Sequence, residues 1–144
     1  MSSIDEINSS WSIDANLDIS KLDMLSLNIP KLHNKYYKQY INEKNVLVQL
    51  ELKLAKLKDL KQDYYSNKLT DEELHKIGWE RYLRILKPTE IESKVQSDKA
   101  VIELTIKYAQ QKELVLYIES IIKQINQMSF NIKNAIEFLK FTNP

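Results

Sequence analysis

The sequence predicts an all-α protein of elongated helices, and two observations favour this class. Gly occurs once and Pro three times in 144 residues, too few for the tight turns of β-hairpins. Long stretches repeat apolar residues every three or four positions, the spacing that places them on one face of a helix. The length is that of one domain with its own core.

Composition argues against several kinds of site. The chain has no Cys, so disulfides and thiolate metal sites are impossible. His33 and His75 lie far apart in sequence, and no second ligand near either suggests a metal. A nucleophile–base pair and a Gly-rich phosphate loop are also missing, so we expect a protein that is not an enzyme and needs no cofactor. The longest apolar run, LVLYI, is too short to span a membrane, and we expect a soluble intracellular protein.

The first half of the chain is predicted to hold an arm and a long helix. Residues 1–29 mix Ser, Asn and Asp with scattered apolar side chains, and we expect a partly ordered arm before a helical domain at 30–144. Pro30 suits the first turn of a helix, so helix one is predicted from about residue 30 to 66. Its heptad seam has two polar interruptions, Glu43 and Lys61.

Local signals divide the second half. Asn67 tolerates a left-handed backbone and ends helix one. Thr70 with Glu73 forms a capping box that starts a short helix, and Gly78 ends it. The stretch WERYLRIL, residues 79–86, fits a strand or a helix.

A second capping box, Thr89 with Glu92, is predicted to open the longest helix. Gln111 and Ser129 interrupt its apolar seam. The apolar face of this helix widens in its C-terminal half, beyond what one partner helix covers. An unbroken helix would also be more than ~70 Å long, which suggests that the fold is elongated, kinked or completed by other copies. We therefore assign oligomerisation to Val115, Ile118, Ile121, Ile122, Ile125, Met128, Ile132, Ile136 and Leu139.

Basic charge is confined to one segment. Residues 31–68 hold nine Lys and four acids, whereas residues 1–30 hold one Lys and five acids. In this segment Lys58, Lys61 and Tyr65, followed by Lys68, form one helical stripe, and neither Lys58 nor Lys61 has an acid three or four residues away. We expect these cations to lack a local partner.

Two interpretations of this stripe stay open. Unpaired lysines beside a tyrosine suit single-stranded DNA, because cations track phosphates and the ring stacks on a base. The alternative is a solvated helix face with tyrosines packed at its end. The same choice applies to Lys35 and Lys38 in LHNKYYKQY.

Several segments in order resemble one known family. They are IPKLHNKYY at 29–37, DYYSN at 63–67, TDEELHKIGWE at 70–80, LKPTEIE at 86–92 and YIESIIKQINQMSFNIKNAIEFLKFTN at 117–143. This order is similar to that of the UvsY recombination mediators of T-even-type phages, and the resemblance covers nearly the whole chain.

The resemblance implies a helical, ring-shaped homo-oligomer, heptameric in the family, that binds single-stranded DNA in the cytoplasm of the infected bacterial host. Such proteins help a RecA-like recombinase assemble on DNA coated by single-strand DNA-binding protein. Basic residues just before the D-Y-Y motif contact DNA in the family, which corresponds here to Lys58 and Lys61. The competing hypothesis is a helical structural or adaptor protein that binds only proteins, favoured by Asp59 within this basic run of the sequence.

Overall fold

The computed structural model describes residues 3–16 and 22–143. The elements are α1 (Ile4–Asp14), α2 (Leu22–Tyr65), α3 (Asp71–Ile77), α4 (Pro88–Ser97) and α5 (Lys99–Thr142). No strand occurs within these ranges, which confirms the all-α class. No helix among the described residues is long and apolar enough to cross a membrane. Contacts divide the chain into unit 1, residues 1–46 with 111–144, and unit 2, residues 47–110.

The N-terminal residues contribute a packed helix to unit 1. Ser3 and Glu6 form a capping box that starts α1, and Ile7 and Trp11 are buried one turn apart. Residues 1, 2 and 17–21 of the predicted arm lie outside the described residues. The Trp11 ring packs edge-on against Tyr36 of α2 with centroids 5.5 Å apart, and its Nε1–H donates to Gln124 Oε1 at 3.1 Å. The core of unit 1 comprises Ile7, Trp11, Tyr36, Leu114, Ile118, Ile121, Ile125 and Met128.

Helix α2 begins earlier than predicted. It starts at Leu22 and runs through Pro30, so the assignment of Pro30 to the first turn is wrong. Proline lacks the N–H that would bond the carbonyl of Ser26 one turn earlier. Pro30 is exposed, and the unpaired carbonyl of Ser26 can therefore face water. Ile29 and Leu32, on either side of Pro30 in the sequence, pack on the core and hold the helix in place.

The turn after α2 and the start and end of the short helix α3 lie where the local signals predict them. Asn67 has a positive φ of 57°. Thr70 caps α3, its Oγ1 accepting from the Glu73 N–H at 3.2 Å. The reciprocal half of the predicted capping box differs, because the Glu73 carboxylate accepts from the Thr70 hydroxyl at 3.1 Å. Gly78 ends the helix in the left-handed conformation at φ 79°, which favours glycine.

The predicted second capping box is wrong. Helix α4 begins at Pro88 with Lys87 as its N-cap residue and no side-chain cap bond, because Pro88 occupies the first helical position and places Thr89 inside the first turn. The long helix is also interrupted at Asp98, which has extended backbone angles between α4 and α5. The stretch 79–86 forms neither a strand nor a helix.

Candidate nucleic-acid interface

The Asp98 carboxylate organises the predicted basic stripe in unit 2. Its Oδ1 accepts from the backbone N–H groups of Ala100 and Val101, at 2.9 and 3.2 Å, and so caps the first turn of α5. Its Oδ2 accepts from the Tyr65 hydroxyl at 2.6 Å and forms an ion pair with Lys61 Nζ at 3.1 Å. One carboxylate therefore joins the end of α2 to the start of α5.

These contacts shift two pKa values. Burial acts to raise the pKa of Asp98, but hydrogen bonds from Tyr65, Lys61 and the Val101 N–H outweigh it, and the pKa lies below its ordinary value. Burial, then the hydrogen bond to Asp98, raises the pKa of Tyr65. Asp98 is thus held as a carboxylate, and Tyr65 as a neutral donor.

The expectation that Lys61 lacks a partner is wrong. Its side chain is only 12% exposed and pairs with Asp98, 37 positions further along the chain. Its Nζ also lies 4.0 Å from the Trp79 ring centroid and 5.7 Å from that of Tyr64, distances typical of cation–π contacts. Sequence spacing detects only partners on the same helix, so this carboxylate was missed. The role of Lys61 in DNA binding stays a prediction.

Aromatic rings surround this ion pair. Tyr64 packs against Trp79 and Tyr82 with centroids 5.2 and 5.9 Å apart, and Tyr65 packs edge-on against Tyr82 at 4.9 Å. Tyr65 also packs against the core of unit 2, the cluster of Leu54, Val95 and Val101. We name this group the aromatic cluster: Tyr64, Tyr65, Trp79 and Tyr82 around Lys61. The Tyr65 ring and hydroxyl both have partners within the chain. Stacking of this ring on DNA stays a prediction.

Two lysines of the stripe keep free charges. Lys58 and Lys68 are exposed, and within residues 3–16 and 22–143 neither forms an ion pair. Lys58 precedes the cluster by one turn of α2, and Lys68 follows it in the turn. Lys58 therefore matches the expectation of a cation without a local partner, and Lys68 is a second exposed lysine of the stripe near the aromatic cluster.

Lys35 and Lys38 lie in unit 1 and differ from each other. Lys35 Nζ pairs with Asp14 at 2.6 Å and donates to Ser10 Oγ at 2.8 Å. Asp14 also accepts from the Tyr36 hydroxyl at 2.8 Å, and burial, with this bond, raises the pKa of Tyr36 to about 12. Lys38 is exposed and forms no ion pair with the described residues. Lys35 therefore anchors α1 to α2, and Lys38 keeps a free charge.

Next to Lys38, three rings line one face of α2. Tyr37 stacks between His33 and Tyr40, with centroids 5.8 and 6.1 Å away and interplanar angles of 12° and 27°. Their spacing of four and three residues places them along one helix face. Tyr37 is exposed, and Lys44 Nζ donates to the Tyr40 hydroxyl at 3.1 Å.

Most of the predicted oligomerisation residues are already covered within one chain. Six of the nine are buried: Val115, Ile118, Ile121, Ile125, Met128 and Ile132. Helices α1 and α2 of the same unit cover much of this face, which the sequence pattern could not reveal. Ile122 and Ile136 are half-buried, and only Leu139 is exposed. The exposed large apolar side chains on this part of α5 are instead Leu116, Phe130, Phe138, Leu139 and Phe141.

Comparison with known proteins relates the chain to one family. A family model described as "Recombination, repair and ssDNA binding protein UvsY" matches residues 10–144. A comparison with curated proteins found no match.

Three crystal structures of the recombination mediator protein UvsY of bacteriophage T4 are similar to the chain. The lattice type II structure has a TM-score of 0.87 at 17% identity and covers 100% of both chains. The lattice type IV structure has a TM-score of 0.85 at 18% identity and covers 97% of this chain and 99% of that one. The lattice type I structure has a TM-score of 0.83 at 18% identity, with 95% and 98% covered. At these identities the likeness shows a shared fold.

Proposed function

This chain belongs to the UvsY family of recombination, repair and ssDNA binding proteins, and we propose that it is a phage recombination mediator that binds single-stranded DNA. Its role is to help a RecA-like recombinase assemble on DNA coated by single-strand DNA-binding protein, in the cytoplasm of the infected host. It performs no catalytic step and requires no cofactor.

The observation that carries this proposal is the pair of exposed lysines beside the aromatic cluster. Lys58 and Lys68 have the free charge and exposure that phosphate contacts require, and Lys38 supplies a further free cation in unit 1. Lys61 contributes indirectly, because its ion pair with Asp98 holds in place the end of α2 that carries Lys58. Lys35, Tyr65 and Lys61 contact DNA only if it displaces their partners in the chain.

We propose further that the protein acts as a ring-shaped homo-oligomer, a heptamer by resemblance to its family. Two or three free lysines bind a strand weakly, but a ring repeats them in every subunit, and linked contacts multiply the effective affinity. The exposed phenylalanines of α5 are apolar side chains that a neighbouring subunit can cover. A strand led around such a ring takes a bent path that weakens the hold of the coat protein and gives the recombinase a place to nucleate.

The DNA site is tested by titrating a fluorescent single-stranded oligonucleotide at several salt concentrations, with the mass of the oligomer measured in the same buffers. The logarithm of the affinity should fall by about 0.7 per neutralised phosphate for each log unit of salt. The double variant Lys58→Ala/Lys68→Ala should bind more weakly with a shallower slope and unchanged mass. The matched control removes two exposed lysines of α5, Lys112→Ala/Lys123→Ala, and should keep the slope.

Two results would contradict the proposal. Unchanged binding by the Lys58/Lys68 variant would remove the assigned surface. No binding of DNA by an assembled oligomer would favour the adaptor hypothesis, in which the lysines are a solvated face. Recombinase assembly on oligonucleotide coated with single-strand DNA-binding protein, measured with and without this protein, tests the mediator role separately.

A further inference from the structure

The segment between α3 and α4 carries the most exposed large apolar side chains in the described part of the chain. Leu83 is 90% exposed and Ile85 is 98% exposed. Residues 79–87 contain no helix or turn, and the neighbouring side chains Tyr82 and Leu86 are half-buried. In an extended chain successive side chains point to opposite faces, which places Leu83 and Ile85 on one face and Tyr82, Arg84 and Leu86 on the other. Two large apolar side chains therefore share one face of an extended segment and contact solvent.

Hydrogen bonds hold one edge of this segment. The Tyr64 hydroxyl donates to the carbonyl oxygen of Glu80 at 2.6 Å, and Asn67 Nδ2 donates to that of Arg84 at 3.2 Å. Backbone groups of successive residues in an extended chain point to opposite edges. The N–H and C=O groups of Leu83 and Ile85 therefore lie on the other edge, and none of them has a backbone partner within residues 3–16 and 22–143.

A fixed extended segment with an unpaired edge is a template for a further strand. We propose that residues 82–86 bind an extended acidic segment of a partner protein by strand addition. The backbone of Leu83 and Ile85 pairs with the added strand, and their side chains cover its apolar residues. This edge stays unpaired because Tyr64 and Asn67 donate only to carbonyl oxygens on the opposite edge, those of Glu80 and Arg84.

Charge indicates the chemistry of the partner. Residues 80–87, ERYLRILK, carry three cations and one acid. Arg81 is engaged by Asp71, with Nη2 to Oδ1 at 2.6 Å, but Arg84 and Lys87 are exposed. Pairing of this segment with the same segment of a second copy would bring these cations together, and like charges on adjacent strands are destabilising. The charge therefore favours a strand that carries carboxylates.

A cavity on the second face of the segment suits such carboxylates. It has a volume of about 420 Å³, and its polar lining is Arg84, Lys94, Thr89, Ser93, Ser97 and Glu90. The lining of this cavity thus has two cations and three hydroxyl groups but only one acid, which favours a negatively charged ligand. A strand paired with this edge would place apolar side chains beside Leu83 and Ile85 and, on its other face, acidic side chains beside Arg84. The preferred ligand thus alternates apolar and acidic residues.

The test uses the full-length protein and a labelled eight-residue peptide of alternating Val and Glu, with binding followed by fluorescence anisotropy. Ile85→Pro removes one N–H of the free edge but keeps an apolar ring, and Leu83→Asp places a carboxylate on the apolar face. Each should weaken binding about tenfold or more, as expected for loss of a hydrogen bond or a buried side chain. Leu52→Asp, at an exposed leucine on α2 of the same unit, should leave the affinity unchanged.

Three outcomes would overturn the proposal. The first is unchanged peptide affinity in both edge variants. The second is equal binding of a peptide with the four Val and four Glu in separate blocks, which would show attraction by charge without strand pairing. The third is a change in occupant: release of the peptide by an oligonucleotide would assign the edge to DNA, and loss of oligomer mass in Leu83→Asp would assign it to a second copy.

Discussion

Gln111 Nε2 donates to both the backbone carbonyl and the carboxylate of Glu43, at 2.8 and 2.7 Å. Both side chains are buried, at 2% and 7% exposure. Each is a polar interruption in the apolar seam of its own helix, and the two interruptions meet. A buried polar pair of this kind fixes the register of two helices, because sliding either helix would leave a polar group unsatisfied.

Replacing Gln111 with Leu should destabilise the protein by about 1.5–3 kcal/mol, since the Glu43 carboxylate would stay buried without its donor. Adding Glu43→Leu should recover much of this loss, because two apolar side chains can then pack together. Urea unfolding of the two single variants and the double variant measures the coupling. Strictly additive changes would show that the two side chains act independently.

Alanine variants of Lys61 and Lys58 should differ in their effect on stability, although the two residues are only one helical turn apart. Lys61→Ala removes a mostly buried ammonium from Asp98 and from two aromatic rings, and we expect a loss of about 3 kcal/mol in the free energy of unfolding. Lys58→Ala removes an exposed side chain and should change stability by less than about 0.5 kcal/mol. Thermal unfolding without DNA tests both. Equal melting temperatures for the two variants would contradict the buried ion pair.

The lowered pKa of Asp98 makes its contribution to stability depend on pH. The pKa of an unfolded Asp is about 3.9, and the pKa of Asp98 in the folded protein lies below its ordinary value. The contribution is therefore present above about pH 4 and is lost as the pH falls through the folded pKa. The advantage of the native protein over Asp98→Asn in urea unfolding should be largest at neutral pH and should shrink in acid. A difference that does not vary with pH would rule out this linkage.

Local signals in the sequence predicted much of the fold. Asn67, the Thr70 cap and Gly78 were assigned correctly because each depends on a residue and its near neighbours along the chain. The start of helix one was predicted wrongly at Pro30, because the packing of Ile29 and Leu32 on the core holds the helix through a proline that by itself disfavours it.

The contacts of the candidate site could not be predicted in the same way. The partner of Lys61 comes from another helix, and no spacing rule links positions 61 and 98. Asp98 itself carried a usable signal, since Asp is a preferred N-cap residue before a helical run. Placing a helix start there would have marked a carboxylate, but only the packed structure shows which ammonium and which phenol it binds.

The Tyr82 hydroxyl allows a further prediction about the aromatic cluster. It is buried and has no hydrogen-bond partner among the residues that the structure describes, while its ring packs against Tyr64 and Tyr65. Tyr82→Phe keeps those ring contacts and removes the unsatisfied polar atom, so stability should stay equal or rise by up to about 1 kcal/mol. Tyr65→Phe is the matched control: it removes a hydroxyl that donates to Asp98 and should cost about 1–2 kcal/mol. Chemical unfolding of both variants checks the contrast, and a larger loss in Tyr82→Phe than in Tyr65→Phe would mean that the Tyr82 hydroxyl has a partner in solution.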